Sequence, residues 1–192
     1  MRPEVDEGRY PAKAIAGDTV TVEADIYADG HEAIAAAVLY RRRSQRTWRE
    51  IPMRPLGNDR WQALFPVPEV GVYLFTVEGW VDRFETWRQD LRKRVDAGQE
   101  VGIDLRIGAE ILAATAARAS GRDARRLLAA AKRLSSPGCS AALVRLALDD
   151  ALAGTAARWP DKSGACRYLR ELMVEAVPPK AGFSAWYEMF PR

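Results

Sequence analysis

The chain has 192 residues, of which 48% are hydrophobic and 29% charged, and its formal net charge is +3. This composition is that of an ordinary globular protein, which excludes a disordered chain and argues against dedicated nucleic-acid binding. Two cysteines and one histidine, without metal-ligand spacing, predict neither a metal site nor a disulfide scaffold. They favour a reducing, cytoplasmic location. Because the sequence lacks a signal-peptide pattern and an apolar run of about 20 residues, we expect no export and no membrane partner.

The first half of the chain predicts short antiparallel strands. In residues 19–27, apolar side chains alternate with polar ones, so one face is expected to be buried and the other exposed. Further segments with β-forming composition lie between turn signals such as Gly57-Asn58-Asp59, and the predicted strands are residues 19–27, 35–40, 48–53, 61–65 and 72–81. Several short strands separated by turns are typical of a β-sandwich.

The hydrophobic period changes to that of a helix after residue 82. Phe84, Trp87, Leu91 and Val95 recur at steps of three and four residues, which predicts a short helix or a twisted connection. From about residue 103 the composition turns to Ala, Leu and Arg, and four helices are predicted at residues 103–118, 122–134, 140–158 and 165–174. Short breaks between them are typical of a small helical bundle.

The final stretch, residues 182–191, is again aromatic and extended, which predicts a closing strand. We therefore predict an α+β chain: an immunoglobulin-like antiparallel β-sandwich with an inserted small helical bundle and a returning C-terminal strand. The predicted boundaries are residues 1–100 for the sandwich, 101–178 for the helical insert and 179–192 for the returning strand.

No segment carries a catalytic motif. The single histidine, His31, lies in a turn-rich stretch without a Ser or Cys motif nearby, so we interpret it as a loop residue. A run of arginines at residues 41–46 could hold phosphates, although the small net charge favours a solvated hairpin tip. The six tryptophans could stack on sugar rings, but most large aromatic side chains of a small sandwich are core residues. The sequence predicts no catalytic, cofactor-binding or metal-binding residue.

Aromatic and charged residues mix most densely between residues 78 and 93. Such a mixture suits charge-paired contacts with a partner, whereas exposed ion pairs alone contribute under about 1 kcal/mol each. We predict an interface formed by this segment together with aromatic residues near the C-terminus. The candidate residues are Trp80, Asp82, Arg83, Phe84, Trp87, Arg88, Asp90, Trp186 and Tyr187.

Three segments of the chain resemble a known family. They are residues 53–61 (MRPLGNDRW), residues 73–93, which include WVDRFETWR, and residues 184–192 (SAWYEMFPR), and they resemble the N-terminal region of bacterial α-1,4-glucan:maltose-1-phosphate maltosyltransferases. The resemblance covers nearly the whole chain, but between about residues 103 and 177 it rests on composition and position alone. It implies a β-sandwich interrupted by a helical bundle, which together build much of a homodimer interface beside an α-amylase-like barrel.

The resemblance also implies an activity for the family. Its enzymes move a maltosyl unit from α-maltose 1-phosphate onto the non-reducing end of an α-1,4-glucan and release phosphate, in cytoplasmic glycogen-like synthesis. The resemblance implies that this transfer retains the configuration of the anomeric carbon. A retaining mechanism requires a carboxylate nucleophile and a second carboxyl as general acid and base. In the family these groups lie in the barrel, which follows the segment matched by residues 186–192. We therefore expect no catalytic or donor-binding residue in this chain.

Three functions stay open from the sequence. The chain could be a dimerisation and scaffold module of a maltosyltransferase, with a second copy and the catalytic barrel as partners. It could be a free-standing α-glucan-binding module, in which case exposed tryptophans should bind maltodextrins. It could also be a protein-interaction domain that self-associates without affinity for sugar.

Overall fold

A computed structural model of the chain describes residues 1–138, 140–183 and 190. This part of the chain forms nine strands and five α-helices, so the predicted α+β class is confirmed. The strands are β1 Ala12–Ile15, β2 Thr19–Asp25, β3 Ile34–Arg42, β4 Arg49–Pro52, β5 Arg54–Gly57, β6 Arg60–Pro66, β7 Gly71–Val81, β8 Cys166–Arg167 and β9 Leu172–Val177. The helices are α1 Arg83–Asp96, α2 Gly102–Arg118, α3 Gly121–Leu134, α4 Ala141–Ala147 and α5 Asp150–Ala156, and a 3-10 helix covers Pro179–Gly182.

The chain divides into two compact units. The β unit comprises Met1–Tyr27, Ala35–Trp80 and Ala165–Arg192, and the helical unit comprises Ala28–Ile34 and Val81–Gly164. The domain boundaries expected from the sequence, at residues 100 and 178, stay predictions. In the structure, residues 81–100 belong to the helical unit and residues 165–178 to the β unit.

The β unit holds two sheets, with strand orders β1-β9-β7-β3-β4 and β2-β6-β5, and β8 pairs with β7. Strands β2 and β6 pair antiparallel from Thr19 opposite Pro66 to Asp25 opposite Arg60, so their apolar residues share one face. Aromatic side chains of both sheets meet in one core. The Phe65 ring stacks on Tyr40 with centroids 4.9 Å apart, and its centroid lies 5.6 Å from that of Phe75.

The segment predicted as a fourth helix, residues 165–174, is instead extended. It contains β8 and leads into β9, which pairs parallel with β1 and antiparallel with β7. Leu172, Val174 and Ala176 are buried while the residues between them are partly exposed, which is the period of a strand. The helix prediction is wrong because composition was given more weight than this alternation. Strands β1 and β5 were not predicted.

The helical unit has its own core. The helices predicted at residues 103–118 and 122–134 are confirmed as α2 and α3, whereas the one predicted at 140–158 is divided into α4 and α5. Asp149 makes the division, because its carboxylate accepts a hydrogen bond from the Leu152 amide at 2.7 Å and caps α5. The fully buried leucines of this core are Leu91, Leu105, Leu112, Leu127, Leu134 and Leu152.

The closing strand predicted for residues 182–191 lies mostly outside the described residues. Of this stretch the structure describes Gly182, Phe183 and Phe190. Gly182 ends the 3-10 helix, and both phenylalanine side chains are exposed.

Candidate functional site

The predicted interface begins where β7 ends and α1 starts. Asp82 is the N-cap of α1, and its carboxylate accepts a hydrogen bond of 2.9 Å from the Glu85 amide. The Thr86 hydroxyl donates to the Asp82 carbonyl at 2.8 Å and accepts from the Ala33 amide at 2.9 Å, which fixes the preceding loop of the helical unit. Burial raises the pKa of the Asp82 carboxyl above its ordinary value. Asp82 therefore caps the N-terminus of α1.

Phe84 and Trp87 pack inside the helical unit. Their ring centroids are 5.5 Å apart, and both side chains are buried with Leu91. The Trp87 indole N–H donates to the Asp104 carbonyl at 2.8 Å. The α2 helix can approach this ring because residue 108 is glycine, since a Cβ built there would lie 2.0 Å from Cζ2 of Trp87. Both aromatic residues therefore join α1 to the core.

Arg88 also lies inside the helical unit, where it links α1 to the turn between α4 and α5. Its guanidinium donates to the Leu148 carbonyl at 3.0 Å and forms ion pairs with Asp150 and, at 3.4 Å, with Glu85. The Leu148 carbonyl belongs to the last turn of α4, whose helical hydrogen bonds end there. Arg88 thus satisfies a helix end that would otherwise need water or another cap.

The structure separates the nine candidate interface residues into three groups. Trp80, Phe84, Trp87 and Arg88 are buried within the chain, and their place in an interface stays a prediction. Arg83 and Asp90 are exposed, and Asp82 is a partly exposed helix cap. For these three residues as well, the interface stays a prediction. Trp186 and Tyr187 lie outside the described residues.

A polar cluster that the sequence analysis missed joins the start of α3 to the end of α5. The Asp123 carboxylate accepts two hydrogen bonds of 2.9 Å from the Arg158 guanidinium and one of 3.0 Å from the Trp159 indole N–H. The hydrogen bonds from Arg158 hold the pKa of Asp123 down at about 2. The only sequence signal for this cluster was an acidic residue in the first turn of a helix, and its partners lie 35 and 36 positions away.

The tryptophans that the structure describes offer little flat surface to a sugar. Of the five that the structure describes, Trp80 and Trp87 are buried and Trp48, Trp61 and Trp159 are partly buried. Trp48 lies under the Arg41 guanidinium, 4.6 Å from its ring centroid. The Trp61 indole N–H donates to the Ile26 carbonyl at 3.1 Å.

The arginine run at residues 41–46 is partly engaged within the β unit. Arg41 donates to the Gln45 carbonyl at 2.6 Å and pairs with Glu171, and Arg42 donates to the Val70 carbonyl at 2.8 Å. Arg43 and Arg46 are exposed, as expected for a solvated hairpin tip. His31 is likewise exposed in its loop.

Within the described residues, no group of three or more His, Cys, Asp or Glu side chains could hold a metal ion. None of the helices in the described part of the chain is both long and apolar enough to cross a membrane.

Comparison with known proteins identifies the class of domain. A family model described as alpha-1,4-glucan:maltose-1-phosphate maltosyltransferase, domain N/S, matches residues 1–176. Because the match covers most of the sequence, the chain belongs to this family, and the resemblance seen in the sequence is confirmed.

Individual relatives carry the same enzyme name. The chain is 49% identical to the alpha-1,4-glucan:maltose-1-phosphate maltosyltransferase of Chlorobaculum tepidum over 99% of its own length and 28% of that protein. It is 45% identical to the one of Myxococcus xanthus and 37% identical to the one of Pseudomonas aeruginosa, over its whole length and 30% and 29% of theirs. The chain spans less than a third of the relatives it matches, and it corresponds to their N-terminal region.

Proposed function

We propose that this chain is the non-catalytic N-terminal module of a maltosyltransferase and serves as its dimerisation and scaffold part. The observation that carries the proposal is the family match over residues 1–176, together with relatives more than three times as long. The whole protein would transfer maltosyl units from α-maltose 1-phosphate to α-1,4-glucans in the cytoplasm and release phosphate. Its partners would be a second copy and the catalytic barrel of the same longer polypeptide.

A scaffold role is supported by how each unit is built. The β unit would be an immunoglobulin-like sandwich, because two sheets contribute apolar residues to one core. The helical unit, inserted in the chain after β7, has a separate core with its own polar contacts. Units with complete cores can hold a neighbouring domain in place without chemistry of their own.

The α-glucan-binding alternative has weaker support. Stacking on a sugar needs an open aromatic face, and none of the five described tryptophans is exposed. Such binding would depend on the exposed aromatic side chains of the described residues, which are Tyr10, Tyr27, Tyr168, Phe183 and Phe190.

The proposal is tested with residues 1–192 and with the longer protein encoded by the same gene. The longer protein is expected to release phosphate from α-maltose 1-phosphate in the presence of glycogen, while residues 1–192 release none. A gene without an in-frame barrel after codon 192, or phosphate release by residues 1–192 alone, would contradict the proposal.

Two measurements on residues 1–192 separate the other functions. Sedimentation at micromolar concentration is expected to show a dimer. Electrophoresis through a glycogen-containing gel is expected to show no retardation. A retarded band that is lost when one of these exposed aromatic side chains is replaced by alanine would favour the glucan-binding module instead.

A further inference from the structure

The outward face of helix α3 concentrates positive charge. The helix holds five of the 29 basic residues of the chain and one of its 26 acidic residues, a net charge of +4, whereas the whole chain carries +3. Its other face is buried in the core of the helical unit through Leu127, Ala130, Ala131 and Leu134. The exposed side chains that we call the basic face are Arg122, Arg125, Leu128, Ala129, Lys132 and Arg133.

The cations of the basic face are not used within the described part of the chain. Arg126, the fifth basic residue of α3, pairs with Asp149, and the acidic residue of the helix, Asp123, pairs with Arg158. No ion pair or hydrogen bond joins the other four charged side chains to a described residue, and these are Arg122, Arg125, Lys132 and Arg133. They are therefore available to a partner.

The positions of these charges oppose the stability of α3. Arginine is favourable in the last turn of a helix, near the partial negative charge of the free carbonyls, and unfavourable in the first turn. Arg122 nevertheless lies in the first turn of α3, and Arg125 and Arg126 follow at spacings of three and four residues, at which like charges repel. Arg122 and Arg125 gain no contact in return. Such a departure from the local rules of helix stability is expected at a functional surface.

The basic face also has an apolar centre. Leu128 is 44% exposed and Ala129 is exposed beside it, with two arginines towards the start of the helix and Lys132 and Arg133 towards its end. The two basic ends are about 15 Å apart, because each residue of a helix rises about 1.5 Å. An apolar centre within a charged rim is the arrangement of a protein–protein interface.

Other anionic partners fit this face less well. A nucleic acid would leave Leu128 without a contact, and α3 contains no aromatic residue on which a base could stack. A lipid surface would need more large apolar side chains than the single Leu128. A second copy of the same face would be repelled by its positive charge.

We propose that the basic face of α3 docks an acidic segment of another protein, an amphipathic helix in which carboxylates flank an apolar side chain. The carboxylates would pair with the arginines and with Lys132, and arginine can bind a carboxylate through two hydrogen bonds. The apolar side chain of the partner would cover Leu128, as in the binding of an amphipathic helix to a groove. The contact is distinct from a symmetric dimer of the chain.

Fluorescence anisotropy tests the proposal with the chain and a labelled synthetic peptide. The peptide is a helix of about 20 residues with a leucine stripe flanked by glutamates, and its control carries glutamines in place of the glutamates. The glutamate peptide is expected to bind with a micromolar dissociation constant at low salt. At about 0.5 M salt the binding should be at least about tenfold weaker, because exposed ion pairs are screened. Equal binding of the two peptides, or binding of neither, would overturn the proposal.

Charge reversal locates the binding surface. Arg125→Glu combined with Lys132→Glu is expected to weaken binding of the glutamate peptide at least about tenfold, since attractive pairs become repulsive. The matched control is Arg92→Glu combined with Arg106→Glu, because both arginines are exposed, lie on α1 and α2, and pair with no described residue. Circular dichroism confirms that both variants are folded. Equal weakening by the two variants would show a general effect of net charge and would refute the surface.

Leu128→Ser separates a protein partner from other polyanions. The substitution is expected to weaken the glutamate peptide about threefold or more and to leave binding of a single-stranded DNA oligonucleotide unchanged. Tighter binding of the oligonucleotide, or of vesicles of phosphatidylserine and phosphatidylcholine, than of the glutamate peptide at the same salt concentration would overturn the proposal.

Thermal unfolding separates a binding role of the arginines from a structural one. Arg122→Glu is expected to raise the Tm by about 1–3 °C while it weakens peptide binding, because a carboxylate suits the first turn of a helix. Sedimentation should show the oligomeric state of the wild type. A lower Tm would show that Arg122 stabilises α3, and a changed oligomeric state would show that the basic face belongs to a contact between copies; either result would contradict the proposal.

Discussion

The elements of the two units are held together by different interactions. In the β unit, distant strands satisfy one another's backbone groups through ladders, so apolar side chains such as Phe65 and Phe75 are enough to define the core. In the helical unit each helix satisfies its own backbone, so nothing in the backbone specifies how helices sit together. There, side-chain donors fix the packing, from Trp87 to Asp104 and from Arg88 to Leu148.

This comparison teaches where each unit is vulnerable. The β unit should be most sensitive to lost apolar volume. The helical unit should also be sensitive to the shape of a single contact and to the protonation of a single carboxylate.

The largest effect is expected from Phe75→Ala in the β unit. Phe75 is fully buried between Phe65 and the strands on either side, so truncation leaves a cavity and costs about 3–5 kcal/mol of the free energy of unfolding. Urea titration followed by circular dichroism measures this cost. Leu64→Ala, on the exposed side of β6, is the control and should cost far less. Equal losses for the two variants would show that the core is not organised as described.

An intermediate effect is expected from Gly108→Ala in the helical unit. The new Cβ would fall 2.0 Å from Cζ2 of Trp87, so α2 or the indole must move, which costs about 1–3 kcal/mol despite alanine's better helix propensity. Thermal unfolding followed by circular dichroism measures the change.

The matched control for this substitution is Gly154→Ala in α5. No atom lies within 4 Å of the Cβ that it would add, so helix propensity alone should act and stabilise the unit by up to about 1 kcal/mol. We expect the free energy of unfolding to fall for Gly108→Ala and to rise for Gly154→Ala, which would show that the contact at residue 108 constrains the helical unit. A stabilising Gly108→Ala would show that the contact with Trp87 does not constrain the unit.

The sequence predicted the fold well where a local period decided it. Strand β2 alternates apolar and polar residues, and α1 repeats with the helical period. Composition and the breaks between segments were enough for α2 and α3. Strand β9 was missed although Leu172, Val174 and Ala176 alternate, because the neighbouring Ala-rich helices suggested another. Its identity depends on β1 and β7, which lie far away in sequence, and such pairing is not visible in a local window.

The candidate site shows a sharper limit. The spacing of Phe84, Trp87 and Leu91 predicted a buried helix face, yet the mixed composition of the same segment was interpreted as an interface. The structure confirms the buried helix face, while the interface stays a prediction. Arg88 could not have been placed from sequence, because its partners Leu148 and Asp150 lie 60 and 62 residues away.

The smallest effect at neutral pH, and the most specific one, is expected from Asp123→Asn. Because the pKa of Asp123 is lowered to about 2 from an ordinary 3.8, its carboxylate stabilises the folded state fully above about pH 4. That contribution is lost as the pH falls towards 2, where the carboxylate becomes protonated in the folded chain as well. The Tm of the wild type should therefore fall more steeply between pH 4 and 2 than that of Asp123→Asn, whose amide does not titrate. Asp90→Asn, which removes an exposed partner of Lys93, is the control and should follow the wild-type curve. If Asp123→Asn also follows it, the cluster with Arg158 and Trp159 does not hold α3 and α5 together, and the contrast between the units rests on the hydrogen bonds of Trp87 and Arg88 alone.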